Sequence, residues 1–282
     1  MANLAVVLKK MGKNVSGCDL EEEFITDKLL KDNKISWQIG FDPDKLSKQT
    51  DLIVYSAAHG GTNNLLIIEA KKRNINLISQ AQLLSELMDQ FKNRIAVCGC
   101  HGKTTTSSLL VYALNKLKEK PSYIVGVPFF TSYQGGDFQG KKYFVVEADE
   151  YGVSPPVDKT PKFHLLNPNY IIATNIDFDH PDVYRNIKET KGAFKKFFNK
   201  LYNSSAPARR SLDEGGAAPE LLLTRLILCA DDKNLMEVVR SLPKESYLTY
   251  GFDKKADYQV TNWKTDKEGS TFEIDSGQAK MT

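Results

Sequence analysis

Leu4, Val7, Leu8 and Met11 recur three and four residues apart, the period of one helix face, and Gly12 follows as a helix stop. Residues 14–17 then read as a short strand running out at Asp19. The same switching of period predicts a helix near 24–31, a strand at 51–56, a helix at 63–73, a strand at 76–78 and a helix at 80–90. Strands that alternate with helices imply parallel pairing, because each helix carries the chain back across the sheet. A strand should therefore precede the first helix, and the expectation is of an α/β domain whose opening strand is not in this sequence.

A second series begins at about residue 93. Arg94 to Cys98 is an apolar run of strand length, a Gly-rich loop follows, and 104–117 has helical composition. Further strands are expected at 143–148, 170–176, 226–230, 247–250 and 270–274, with helices at 187–201 and 234–241. Residues 203–225, rich in Ala, Pro, Gly and Ser and without a period, read as a flexible insertion. The last strand is followed by a few polar residues and no helix, so a truncated carboxyl end is expected too.

Composition narrows the class. With 282 residues, 41% apolar and 26% charged, the chain fits two globular domains, and a net charge of only +3, its lysines interspersed with Asp and Glu, predicts no nucleic-acid partner. Cys18, Cys98, Cys100 and Cys229 lack the paired spacing of a zinc site or a disulfide framework, and a reducing cytoplasm is the expected compartment. The apolar residues 4–8 have neither a basic leader nor a cleavage site, and no run approaches the roughly 18 apolar residues of a membrane span.

Three constellations carry chemistry. GCHGKTTT at 99–106 has two residues, Cys100 and His101, between its glycines, a shorter form of the phosphate-binding loop. Glycine lets the backbone approach an anion, N–H groups and a helix N-terminus face it, Lys103 adds a mobile positive charge, and Thr104 can offer a hydroxyl to Mg2+. At 145–150 a hydrophobic strand runs into Glu147, Asp149 and Glu150. Carboxylates at the carboxyl end of a strand suit Mg2+, and equally suit a solvated acidic loop. At 174–180, Asp179 beside His180 can orient the imidazole toward a metal or a phosphate, or the histidine can simply cap a strand end. His59 and His164 have no such company and are expected in loop or packing roles.

In this order and at this spacing, GCHGKTTT, EADEY at 147–151 and TNIDFDHPD at 174–182 resemble the Mur ligase family. SGCD at 16–19, YSAA at 55–58, QLLSELM at 82–88 and LCADD at 228–232 resemble the branch that joins L-alanine to UDP-N-acetylmuramate. EADEY and DKTPKF at 158–163 are shared with the branch that attaches a tripeptide. The resemblance implies a partial UDP-binding Rossmann-like domain at 1–92, a central ATPase domain at 93–282 of the P-loop α/β type, and a third, amino-acid-binding domain that this chain lacks. It implies ATP and Mg2+, with Gly99, Cys100, His101, Gly102, Lys103, Thr104 and Thr105 around the nucleotide. Lys103 would contact the β- and γ-phosphates, and Asn175 would lie beside the reacting phosphate. Thr104 would bind one Mg2+, and Glu147 and His180 would hold a second. Asp19 and Ser56 would face the uridine substrate. Some family members carry a carbamylated lysine near the position of Lys191, which in this sequence reads as an ordinary helical surface lysine.

Overall fold

The computed structural model describes residues 1–204, 225–276 and 280–281, so the segment read as an insertion lies outside the described residues over 205–224. The described chain divides into two compact units that do not follow chain order: Met1–Arg94 with Thr104–Asn167, and Ile95–Lys103 with Pro168–Thr282.

The first unit opens with helix α1 (Ala2–Lys10), whose Leu4, Val6 and Val7 are buried. Val6 packs with Leu29 of α2 (Ile25–Asp32) and with Ile35, flanked by Ala2, Ala5, Val15, Leu30 and Phe129. Burial of such side chains contributes about 1.5–3 kcal/mol each. The first strand, β1 (Ser16–Asp19), begins two residues later than the hydrophobic pattern predicts. Gly12, at φ +84°, turns the chain out of α1, and the strand starts only where it can pair in parallel with β2 (Ser36–Ile39). β3 (Leu52–Tyr55), α3 (Leu65–Lys72), β4 (Asn76–Ser79) and α4 (Gln80–Met88) follow the expected alternation, with β3 and β4 parallel. Asn64 and Ser79 cap the two helices through their side chains.

After β5 (Asn93–Cys98) and α5 (Lys103–Lys116), the first unit continues with β6 (Ser122–Phe130), β7 (Tyr133–Asp137) and β8 (Tyr143–Glu147). β6 pairs antiparallel with β7 and parallel with β8. β9 (Gly152–Ser154) and β10 (Asp158–Pro161) form a small antiparallel pair.

In the second unit β5 pairs in parallel with β11 (Tyr170–Ala173), and parallel order continues through β12 (Leu226–Cys229), β13 (Tyr247–Gly251) and β14 (Tyr258–Asp266). β15 (Gly269–Asp275) and β16 (Lys280–Met281) complete the edge in antiparallel register. α6 (Ile187–Ser204) and α7 (Lys233–Val239) pack against each other. Phe194, Phe197 and Phe198 of α6 and Leu235 and Val239 of α7 are buried. The fold is α/β with mostly parallel strands. No helix among the described residues is long and apolar enough to cross a membrane.

Candidate functional site

The glycine-rich loop leaves the carboxyl end of β5 and enters α5 at Lys103. Gly99 has φ +137° and Gly102 φ +79°, a region in which a side chain would be strained. At Gly99 space also forbids one, since a Cβ would overlap Thr174 Oγ1 and lie 3.1 Å from the Asn175 nitrogen and oxygen. The loop is thus folded tightly on the segment after β11. Lys103 Nζ donates to the carbonyls of Gly99 at 2.6 Å and Cys100 at 3.3 Å, which holds the ammonium over the loop. The first turn of α5 contains no acidic residue of its own, so its backbone N–H groups and positive dipole end suit an anion. Thr105 is exposed in that turn.

Residues 174–177 brace this loop. Asn175 Oδ1 accepts from His101 N at 2.8 Å while Asn175 Nδ2 donates to His101 O at 2.8 Å. Thr174 Oγ1 donates to the same carbonyl at 2.6 Å. The buried Cys100 thiol donates to Asp177 O and accepts from Asp177 N, both at 3.2 Å. Asp232 in turn caps α7 through Leu235 N at 2.7 Å and accepts from Ile176 N at 3.3 Å, and Asn234 donates to Ile176 O at 2.8 Å.

In the first unit the carboxylate of Glu147, at the end of β8, accepts from three donors. They are Thr104 Oγ1 at 3.0 Å, Ser107 Oγ at 3.1 Å and the Gly126 N–H. A Cβ on Gly126 would stand 2.7 Å from both Thr104 Oγ1 and Glu147 Oε2. Glycine therefore keeps clear a space rimmed by a hydroxyl and two carboxylate oxygens. An all-oxygen donor set of this kind fits Mg2+, which prefers one or two carboxylates and completes its shell with phosphate and water. The other two carboxylates of the cluster differ in setting. Asp149 is tied to Lys162 Nζ at 2.8 Å and Tyr151 N at 3.0 Å, and Glu150 is buried.

Residues 1–92 match the Mur ligase family catalytic domain, and residues 97–282 match the Mur ligase middle domain. The chain belongs to the Mur ligase family. It is 31% identical over 274 residues to a UDP-N-acetylmuramate–L-alanine ligase of Pelagibacter ubique, covering 97% of this chain and 52% of that protein. The chain spans about half the length of the curated relatives it matches. Among solved structures it resembles a UDP-N-acetylmuramate-alanine ligase from Thermotoga maritima, with TM-score 0.75 and 21% identity over 98% of this chain and 56% of that one. A Neisseria meningitides ligase for UDP-N-acetylmuramate and L-alanyl-gamma-D-glutamyl-meso-diaminopimelate has a similar fold, with TM-score 0.71 and 22% identity over 98% of this chain and 81% of that one.

His180 adopts φ +57° and its carbonyl starts the turn taken up by Val183 and Tyr184. Its N–H donates to Asp179 Oδ1 at 2.7 Å, while Nε2 lies 3.7 Å from Asp179 Oδ2, so the carboxylate grips the backbone more closely than the ring. Asp19 ends β1, and Ser56 directly follows β3. His59, read as a loop residue, lies with Nε2 3.5 Å from Asp19 Oδ1 and its ring 5.1 Å from that of Phe41. Burial first, then the Asp19 carboxylate, raises the pKa of the neighbouring Cys18 thiol. Lys191 pairs with Glu237 Oε2 at 2.7 Å, and this hydrogen bond holds the Glu237 carboxyl below the usual range.

Sequence reasoning passed over Ser107, Gly126 and Asp232. Ser107 had a signal, standing three residues after Thr104 and so on the same helix face. Gly126 meets Glu147, and Asp232 meets Ile176, across more than 20 residues, which periodicity does not report.

Proposed function

We propose that the protein carrying this chain joins L-alanine to the carboxylate of UDP-N-acetylmuramate with cleavage of ATP, a step of peptidoglycan precursor synthesis. The observation that carries the reading is the 31% identity to an L-alanine ligase across 97% of this chain, phosphate loop included. In the proposed reaction a muramyl carboxylate oxygen attacks the γ-phosphorus of ATP, ADP leaves, and an acyl phosphate forms. The amine nitrogen of alanine then attacks the acyl carbon, inorganic phosphate leaves, and the amide remains.

Little covalent work falls to side chains in such a reaction, so positioning and charge neutralisation dominate. We assign Lys103 and the N–H groups of residues 99–105 to the ATP phosphates, and Asn175 to the loop that carries them. Thr104, Glu147 and His180 are assigned to Mg2+. When bound, Mg2+ would neutralise charge on the transferring phosphoryl group. Residues 1–92, with Asp19 and Ser56, are assigned to the uridine substrate, and residues 93–282 to ATP.

The test is ADP release by the full polypeptide that carries this chain, measured with UDP-N-acetylmuramate, Mg-ATP and either L-alanine or L-alanyl-γ-D-glutamyl-meso-diaminopimelate. Release that requires both the muramyl nucleotide and L-alanine is expected. Release with the tripeptide alone would move the protein to the other branch, and release indifferent to both acceptors would overturn the reading.

A further inference from the structure

β6 lies between β8 on one edge and β7 on the other, and its ladder to β7 is interrupted. Ile124 pairs with Gly136, and pairing resumes with a shifted register at Phe129 and Gln134. Within the gap the carbonyls of Val125 and Val127 accept from a single side-chain nitrogen, Asn3 Nδ2, at 2.6 and 3.0 Å. Asn3 sits in the first turn of α1, 122 and 124 residues away along the chain. Two glycines make room for it. A Cβ on Gly135 would overlap Val127 O and stand 2.7 Å from Asn3 Nδ2, and one on Gly136 would overlap Asn3 O.

The opposite edge of the same three residues holds Glu147. In an extended strand the carbonyls of residues 125 and 127 point one way and the N–H of residue 126 the other. Asn3 therefore grips this stretch from one side, and the Gly126 N–H meets Glu147 Oε1 on the other. Thr104 and Ser107 complete the grip on that carboxylate.

We propose that Asn3 is a positioning residue for the Glu147 carboxylate: its amide takes the place of the missing β7 donors, fixes residues 125–127, and so aims the Glu147 oxygens toward Thr104. The proposal rests on the reading of Glu147 as a Mg2+ ligand. Asparagine suits the task because one NH2 group supplies two donors, whereas the isosteric aspartate would turn an oxygen toward two carbonyl oxygens. Outer-shell partners of metal ligands typically change affinity by about 10–100-fold.

The experiment titrates Mn2+ into the full polypeptide with a non-hydrolysable ATP analogue, reading free Mn2+ by electron paramagnetic resonance. Asn3→Asp, Asn3→Ser and Glu147→Gln are compared with the parent. Asn3→Asp is expected to raise half-saturating Mn2+ about tenfold, with Asn3→Ser, which keeps one donor, between it and the parent. Analogue binding without metal should not move. A merely structural role would lower the melting temperature and leave the Mn2+ midpoint where it was. Parent-like midpoints in the Asn3 variants beside an impaired Glu147→Gln would overturn the proposal and leave the reading of Glu147 standing. A parent-like midpoint in Glu147→Gln would overturn both. If Asn3→Asp does not fold, Asn3→Ser carries the same comparison.

Discussion

The side-chain amide of Asn175 pairs with the main chain of His101 as a neighbouring strand would, accepting from its N–H and donating to its C=O, each at 2.8 Å. Both ends of the amide are engaged with the phosphate loop. Asn175→Asp keeps the acceptor and sets a carboxylate oxygen against the His101 carbonyl. The expected result is a KM for ATP raised about tenfold with kcat changed less than about threefold, the signature of a misplaced binding loop. A drop in kcat at unchanged KM would instead assign the side chain to the reacting phosphate.

Lys103 is held over the loop by the carbonyls of Gly99 and Cys100. Lys103→Ala removes the only lysine or arginine of the 99–106 segment. Phosphate release driven by acceptor and alanine should fall by at least about 100-fold, since charge placed at the transferring phosphoryl group is worth several kcal/mol. Calorimetry with Mg-ATP should show weakened binding in the same variant.

Gly99→Ala meets two obstacles, a φ of +137° and the Thr174 hydroxyl. Destabilisation of about 2 kcal/mol or more is expected, from backbone strain and overlap together. Adding Thr174→Ala removes the hydroxyl overlap and leaves the strain and the close Asn175 backbone, so thermal melting of the double variant should recover part of the loss. Full recovery would show that the dihedral angle costs nothing.

Asp257 accepts from Lys244 Nζ at 2.6 Å and from Thr249 N and Oγ1 at 2.8 and 2.7 Å. Burial pushes its carboxyl pKa up, but the Lys244 and Thr249 bonds outweigh burial and leave it below the ordinary value of 3.8. A lowered carboxyl pKa contributes stability that is present above the unfolded pKa and is lost as pH falls through the folded one. The parent should therefore lose stability relative to Asp257→Asn below about pH 4, where an unfolded aspartate takes up its proton. Melting curves of the two proteins between pH 7 and pH 3 should converge as the pH falls.

Alternating periods made the α/β class legible, and the phosphate loop was legible because its function is written in eight consecutive residues. The β6–β7 hairpin was not. Gly126 and Pro128 interrupt the apolar run of β6, and Gln134 with two glycines makes β7 read as a loop. Those glycines serve close approach: Gly126 to Glu147, and Gly135 and Gly136 to Asn3. β2 was missed for a different reason, since its four residues SWQI are too few to establish a period. Within the site, Lys103, Thr104 and Glu147 stand in local motifs, while Asn3, and Asp232 in its bond to Ile176, gain meaning from partners distant in sequence.

The seat of Asn3 between Gly135 and Gly136 bears on how such a protein can be recombined. A crossover placed between residues 92 and 93, where the motifs suggest a clean joint, would bring one parent's residue 3 against the other parent's hairpin. Parents that differ at positions 3, 135 or 136 would then yield chimaeras with a bulky side chain in place of a glycine, or with two carbonyls left facing no donor. These three positions form a single heritable lock that crosses the apparent seam, and libraries that exchange residues 1–92 are expected to yield more active chimaeras between parents that share it.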